Sequence, residues 1–146
     1  MAKSYEKRAL LDTLDAKSAF HVVFNTSLDM RNFEQAKHVF LNTLESNENP
    51  FSDTLAFIDQ WYEHTPCAFT NGNVANSENQ NQGSCKVLAF AIAEGLTDLQ
   101  ALQCFGEHYR DVIATPNVDN HHNLRRLLKD GLVDISFDGT PLKRRA

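Results

Sequence analysis

The sequence predicts an α+β domain, mostly helical, with about five helices around a buried central helix at 85–94 and a small antiparallel sheet from the regions 67–75 and 133–137. Three observations predict it. Val87, Leu88, Ala89, Phe90, Ala91, Ile92 and Ala93 have no polar face, so a helix there is enclosed on all sides, and it is too short to cross a bilayer. Four other stretches repeat apolar residues at helical spacing between start and stop signals. Around Cys67 and around Val133 the spacing changes to alternation, which is the period of a half-buried strand.

Taken in order, residues 1–30 read as an N-terminal arm. Leu10, Leu11 and Leu14 suggest a short helix there, and Ala19 to Phe24 a brief β-prone run containing His21. The domain proper, 31–146, opens at Asn32, which can cap a helix with Gln35 completing a capping-box variant and Phe33, Ala36, Phe40 and Leu44 on one face. Asn47 to Pro50 breaks it. Ser52 opens a second helix with Leu55, Ile58 and Tyr62 inward and Trp61 beside them, closed by Thr65-Pro66 because the residue before proline leaves the α region. Cys67, Phe69 and Asn71-Gly72 read as a short strand entering a hairpin turn. Ser84 is placed to cap the central helix and Gly95 to end it. Thr97-Asp98-Leu99-Gln100 is another capping box, opening a helix with Leu99, Leu102, Phe105, Tyr109 and Val112 or Ile113 inward, closed by Thr115-Pro116. Asp119 or Asn120 can cap the last helix, which buries Leu124, Leu127 and Leu128 and stops at Gly131. Val133, Ile135 and Phe137 then alternate with Asp134, Ser136 and Asp138 up to Asp138-Gly139.

Composition excludes several classes. At 146 residues, 42% hydrophobic and 23% charged, the chain is ordinary globular material for one core. A net charge of -5 gives no field of the kind that nucleic acid needs, and Lys143-Arg144-Arg145 reads as a solvated tail. Three cysteines without paired short spacings, Cys67, Cys85 and Cys104, argue against a disulfide framework or a zinc knuckle and for free thiols in a reducing, cytoplasmic compartment. Neither a Sec signal peptide nor a membrane anchor is visible, and no cofactor is implied.

The candidate site is the junction at Gly83-Ser84-Cys85, where an amide-rich loop carrying Asn71, Asn73, Asn76, Asn79 and Asn81 meets the central helix. A loop over a helix N-terminus can cradle a carboxylate, a phosphate or a peptide backbone on free N–H groups, with Lys86 and Arg125 supplying charge. The competing account is a structural loop that caps two helices and needs no ligand. Cys85, at the positive end of a helix and beside Lys86, is the best candidate nucleophile, with His121 as base and Asn123 to orient it. Against that stands the ordinary fate of a free cysteine, which is burial and inertness. Asn81-Gln82-Gly83-Ser84-Cys85 also looks like the papain-like active-site stretch, but no tryptophan follows the cysteine. That family's histidine lies roughly 130–150 residues downstream, whereas 61 residues follow Cys85. No metal site is expected, because the adjacent His121 and His122 point apart and His108 with Asp111 offers only two ligands. His64 reads as a partner for a helix C-terminus.

Residues from about 32 to 142 resemble the HopJ family, named for a bacterial type III secretion effector of plant pathogens. The resemblance is carried by Thr65-Pro66-Cys67-Ala68-Phe69-Thr70-Asn71-Gly72, Asn81-Gln82-Gly83-Ser84-Cys85-Lys86, Phe105-Gly106-Glu107-His108-Tyr109-Arg110-Asp111-Val112 and His121-His122-Asn123-Leu124-Arg125, in that order. Where the family pattern has Gly-Trp, this chain has Gly131-Leu132. The resemblance implies a small protein, delivered to a host cell if it is a true effector, and carries over no catalytic residue. The expected function is binding of an unknown protein or small-molecule ligand, with no nucleic acid and no membrane, at a surface comprising Asn71, Asn81, Gly83, Ser84, Lys86, Tyr109, Asn123 and Arg125. The alternative is a small cysteine-dependent enzyme using Cys85 and His121.

Overall fold

The structure is a computed structural model and describes residues 26–146. The expected arm elements around Leu10 to Leu14 and Ala19 to Phe24 lie outside the described residues. The chain divides into two units, Met1–Asn32 and Phe33–Ala146, and the fold below is that of the second. It is α+β and mostly helical, as expected, with six helices among the described residues rather than about five.

Helix α1 (Thr26–Leu44) is already helical at Asn32, so Asn32 lies inside it and is not its cap. Its expected face holds: Phe33, Phe40 and Leu44 are buried. Helix α2 (Phe51–Trp61) starts on Pro50 rather than Ser52 and stops before Tyr62, which opens strand β1 (Tyr62–His64). Across the two helices the Phe40 and Phe57 rings stack at 4.5 Å and 8°. Phe90, from the central helix, sets its edge against Phe40, Phe57 and Tyr62 at 6.2, 5.8 and 6.0 Å. Such pairs add about 0.5–1.5 kcal/mol each beyond the area they bury.

Strands β2 (Phe69–Asn71) and β3 (Val74–Asn76) form the expected hairpin, turning at Gly72 with φ 59°. Strand β4 (Ile135–Phe137) pairs antiparallel along the other edge of β2, with Phe69 opposite Phe137. The basic tail is a correction. Leu142–Arg144 is strand β5, paired with β1, and the Arg144 guanidinium lies 3.6 Å from the centre of the Phe33 ring. His64 is likewise not at a helix end: its Nδ1 meets the Pro141 carbonyl at 3.0 Å across this two-stranded sheet.

Central helix α3 (Gln82–Glu94) buries Cys85 and Val87 to Ala91, while its last turn reaches the surface at Ile92, which is exposed. Its cap is Asn81, in the left-handed region at φ 52° and ψ 38°, and Ser84 sits within the first turn. Gly95 ends it at φ 66°, as expected. The capping box at Thr97 and Gln100 forms with both bonds in place, at 3.0 and 2.9 Å. The single helix expected from there to Thr115 is two: α4 (Asp98–Gln103) and α5 (Glu107–Ala114), broken at Gly106. Gly106 has φ 59° and ψ −128°, and a Cβ there would lie 2.4 Å from the Phe51 amide nitrogen. Leu99 and Ile113 are exposed, whereas Leu102, Phe105 and Val112 are buried. Helix α6 (His122–Asp130) buries Leu124 and Leu127 but exposes Leu128, and it starts on His121 at φ 49° rather than on Asp119 or Asn120. Among the described residues no helix is long and apolar enough to cross a membrane.

Candidate functional site

Three amides of the polar loop, Asn71, Asn76 and Asn81, join Asn123 in one hydrogen-bonded set. Asn123, in the first turn of α6, donates Nδ2 to Asn76 Oδ1 at 2.9 Å and accepts Asn76 Nδ2 on its own Oδ1 at 3.2 Å. Asn81 Nδ2 also reaches Asn76 Oδ1, at 2.7 Å. Asn71, fully buried, donates to the Asn123 carbonyl at 3.0 Å. A buried amide without partners costs about 1–3 kcal/mol, so this reciprocal set fixes the hairpin against the start of α6. It also holds the Asn81 cap of α3 beside that start.

The result is a cavity of about 220 Å³ where helix N-termini converge. Its walls are Asn81, Gly83 and Ser84 from α3, His121, His122, Asn123 and Leu124 from α6, and Phe51, Phe105 and His108. Both α3 and α6 start on a left-handed residue whose side chain makes no cap bond, and neither has an acid in its first turn. The N–H groups of those first turns have no intrahelical acceptor, and the helix dipoles put their positive ends there. By contrast α2, α4 and α5 carry Asp53, Asp98 and Glu107 in their first turns. The His108 and His121 rings face each other at 5.1 Å, and His121 Nε2 lies 3.5 Å from Asp111 Oδ2. Phe51 stacks on Phe105 at 5.8 Å and meets His108 edge-on at 5.1 Å, giving the cavity an apolar floor. Gly83 lets α3 approach that floor: a Cβ there would sit 3.2 Å from the Phe51 ring. Glu107 accepts the Phe51 N–H at 2.7 Å, and that bond holds its carboxyl below the usual glutamate range.

Five of the expected site residues therefore meet at one cavity: Asn81, Gly83, Ser84, His121 and Asn123. Asn71 stands behind the wall as its support. The others lie elsewhere. Lys86 turns to Asp59 of α2 at 2.9 Å. Arg125 grips the Asn120 carbonyl and Oδ1, both at 2.7 Å, and Thr115 Oγ1 at 3.2 Å, tying the end of α5 to the start of α6. Tyr109 packs against the core and is not a wall of the cavity.

Cys85 as nucleophile is a correction. The thiol is fully buried, and desolvation, with Cys67 beside it, pushes its pKa up to about 12. The expected help from Lys86 is spent on Asp59, and burial outweighs the helix dipole. Phe51, Phe105, His108, His122 and Leu124 escaped the list of expected site residues. The Phe105-Gly106-Glu107-His108 block held a signal, a glycine between two rings, but only if Gly106 is read as a break.

A family model described as HopJ type III effector protein matches residues 37–142, well over half of the chain. The chain belongs to the HopJ type III effector family. The match runs from within α1 to the first residue of β5 and includes every wall residue of the cavity. The crystal structure of the unknown-function protein VPA0580 is similar to this HopJ family member with a TM-score of 0.69 and 34% sequence identity, covering 88% of this chain and 100% of that one. No curated protein matches.

Proposed function

We propose that this HopJ family member acts by binding a compact anionic group, a carboxylate or a phosphate, free or carried by a partner, in the cavity between the first turns of α3 and α6. The observation that carries the reading is the meeting of two helix N-termini, both without a side-chain cap or a first-turn acid, on one open space walled by three imidazoles, His108, His121 and His122. Anions at such ends gain roughly 0.3–1 kcal/mol from each dipole, and a charge-assisted hydrogen bond adds about 1.5–3 kcal/mol. The buried Cys85 thiol disfavours the cysteine-enzyme alternative. Family membership supports delivery of the chain to a host cell, which a translocation reporter fused to the full chain tests.

Calorimetric titration with inorganic phosphate, acetate and a small dicarboxylate, each beside a neutral amide analogue, tests the binding. The expected result is saturable heat from an anion and none from its neutral analogue, weakened about tenfold or more by His108→Ala or by Gly83→Val. Equal response to charged and neutral partners, or binding unchanged in both variants, contradicts it.

A further inference from the structure

We infer that the groove between the end of α1 and the start of α2 is a docking site for an arginine side chain carried on a peptide segment of a partner protein. The groove has a volume of about 480 Å³ and shares no wall residue with the anion cavity, so the inference does not rest on anion binding. Its apolar part is made by Phe40 and Phe57, whose rings stack at 4.5 Å and 8°, and by Ala56 on the exposed side of α2. Glu48 and Asp53, both exposed, bring two carboxylates, and none of the walls among the described residues is cationic. The last turn of α1 carries no basic residue either, so the negative end of its dipole stays uncompensated there. Asp53, in the first turn of α2, offsets the positive end of that helix.

Asn49 points to a hydrogen-bond donor as the occupant. This wall residue is 7% exposed. Its Nδ2 donates to the Gln103 carbonyl at 3.1 Å, and its main-chain carbonyl accepts Arg110 Nη2 at 3.1 Å, so it is held from two sides. Its Oδ1 is buried without a partner. Buried side-chain oxygens are ordinarily hydrogen-bonded, and an N–H arriving through the groove supplies the missing bond. The occupant therefore donates hydrogen bonds, carries positive charge and lies against aromatic rings. A guanidinium does all three, whereas an ammonium lacks the flat faces that stack on a ring. The chain already uses that packing, with the Arg144 guanidinium 3.6 Å from the centre of the Phe33 ring. A groove of about 480 Å³ exceeds what one guanidinium fills, so the residues flanking the arginine occupy the rest.

The test is calorimetric titration of the full chain with a blocked alanine pentapeptide carrying a central arginine. Beside it stand the same peptide with citrulline, the neutral isostere of arginine, and methylguanidinium, the side-chain head alone. The expected result is saturable binding of the arginine peptide that weakens as salt rises. Citrulline, the double substitution Glu48→Gln with Asp53→Asn, and the free methylguanidinium each weaken it about tenfold or more. Ala56→Phe, which fills the groove from an exposed helix position, abolishes it. Thermal melting establishes that each variant is folded, and Glu48→Gln alone, outside the helices, serves should the Asp53 change unfold α2. Absence of binding, equal binding of the citrulline peptide, affinity unchanged in the folded variants, or methylguanidinium binding as tightly as the peptide would overturn the inference.

Discussion

At the scale of single residues, the site depends on amides that satisfy each other. Asn76 Oδ1 accepts from the exposed Asn81 and from the buried Asn123, so Asn76→Ala leaves the Asn123 donor stranded. The expected cost is about 1–3 kcal/mol, read from urea unfolding, the cost of one unpaired buried group. A loss within the ±0.5 kcal/mol of ordinary surface changes would mean that water replaces these bonds freely. The sequence made the loop legible as amide-rich and as a neighbour of the α3 N-terminus. It could not show which amide faces which, because the Asn76 and Asn123 partners are 47 residues apart and nothing local fixes their orientation. The same holds for Cys85: its place near a helix start was readable, but whether the thiol faces solvent or core depends on packing from Cys67 and the neighbouring elements.

At the scale of elements, the helix stops at Gly95, Thr115 and Gly131 follow local chemistry, whereas of the expected starts the Thr97 cap holds and the others shift. The capping box at Thr97, the Gly95 stop and the hairpin at Gly72 form as read, because each is decided within four or five residues. The α4–α5 break was missed because Leu102, Phe105 and Tyr109 keep helical spacing through Gly106, and only the approach of Asn49 to Phe51 makes the glycine obligatory. Gly106→Ala must strain φ and push a Cβ into that backbone, so it is expected to destabilise by roughly 2–4 kcal/mol and to displace Phe51 from the cavity floor. Thermal unfolding checks the first, and the near-ultraviolet spectrum of the aromatic cluster the second. Strand β5 escaped notice because its pairing with β1 joins segments 78 residues apart, with His64 opposite Leu142. A basic run beside a chain end looks solvated until Phe33 is placed under Arg144.

At the scale of the whole molecule, helix α3, enclosed from Val87 to Ala91, organises both stability and site: Phe90 anchors its middle to α1, α2 and β1 while its first turn opens on the cavity. Enclosure has a pH signature. The Cys85 and Cys104 thiols titrate near 9 in the unfolded chain and are raised to about 12 in the fold, and burial with Glu94 raises Tyr62 in the same direction. Below pH 9 these groups are protonated in both states; above it the unfolded chain ionises first, so stability present at neutral pH is lost as pH rises from 9 toward 12. Melting temperature across that range is expected to fall, and to fall less steeply in Cys104→Ala. The central claim is that the first turns of α3 and α6 together receive an anion, and backbone amide chemical shifts during a phosphate or carboxylate titration test it most directly. The account predicts saturable shifts concentrated at Gly83, Ser84, Asn123 and Leu124; shifts absent there, or spread over the basic surface residues instead, would contradict it.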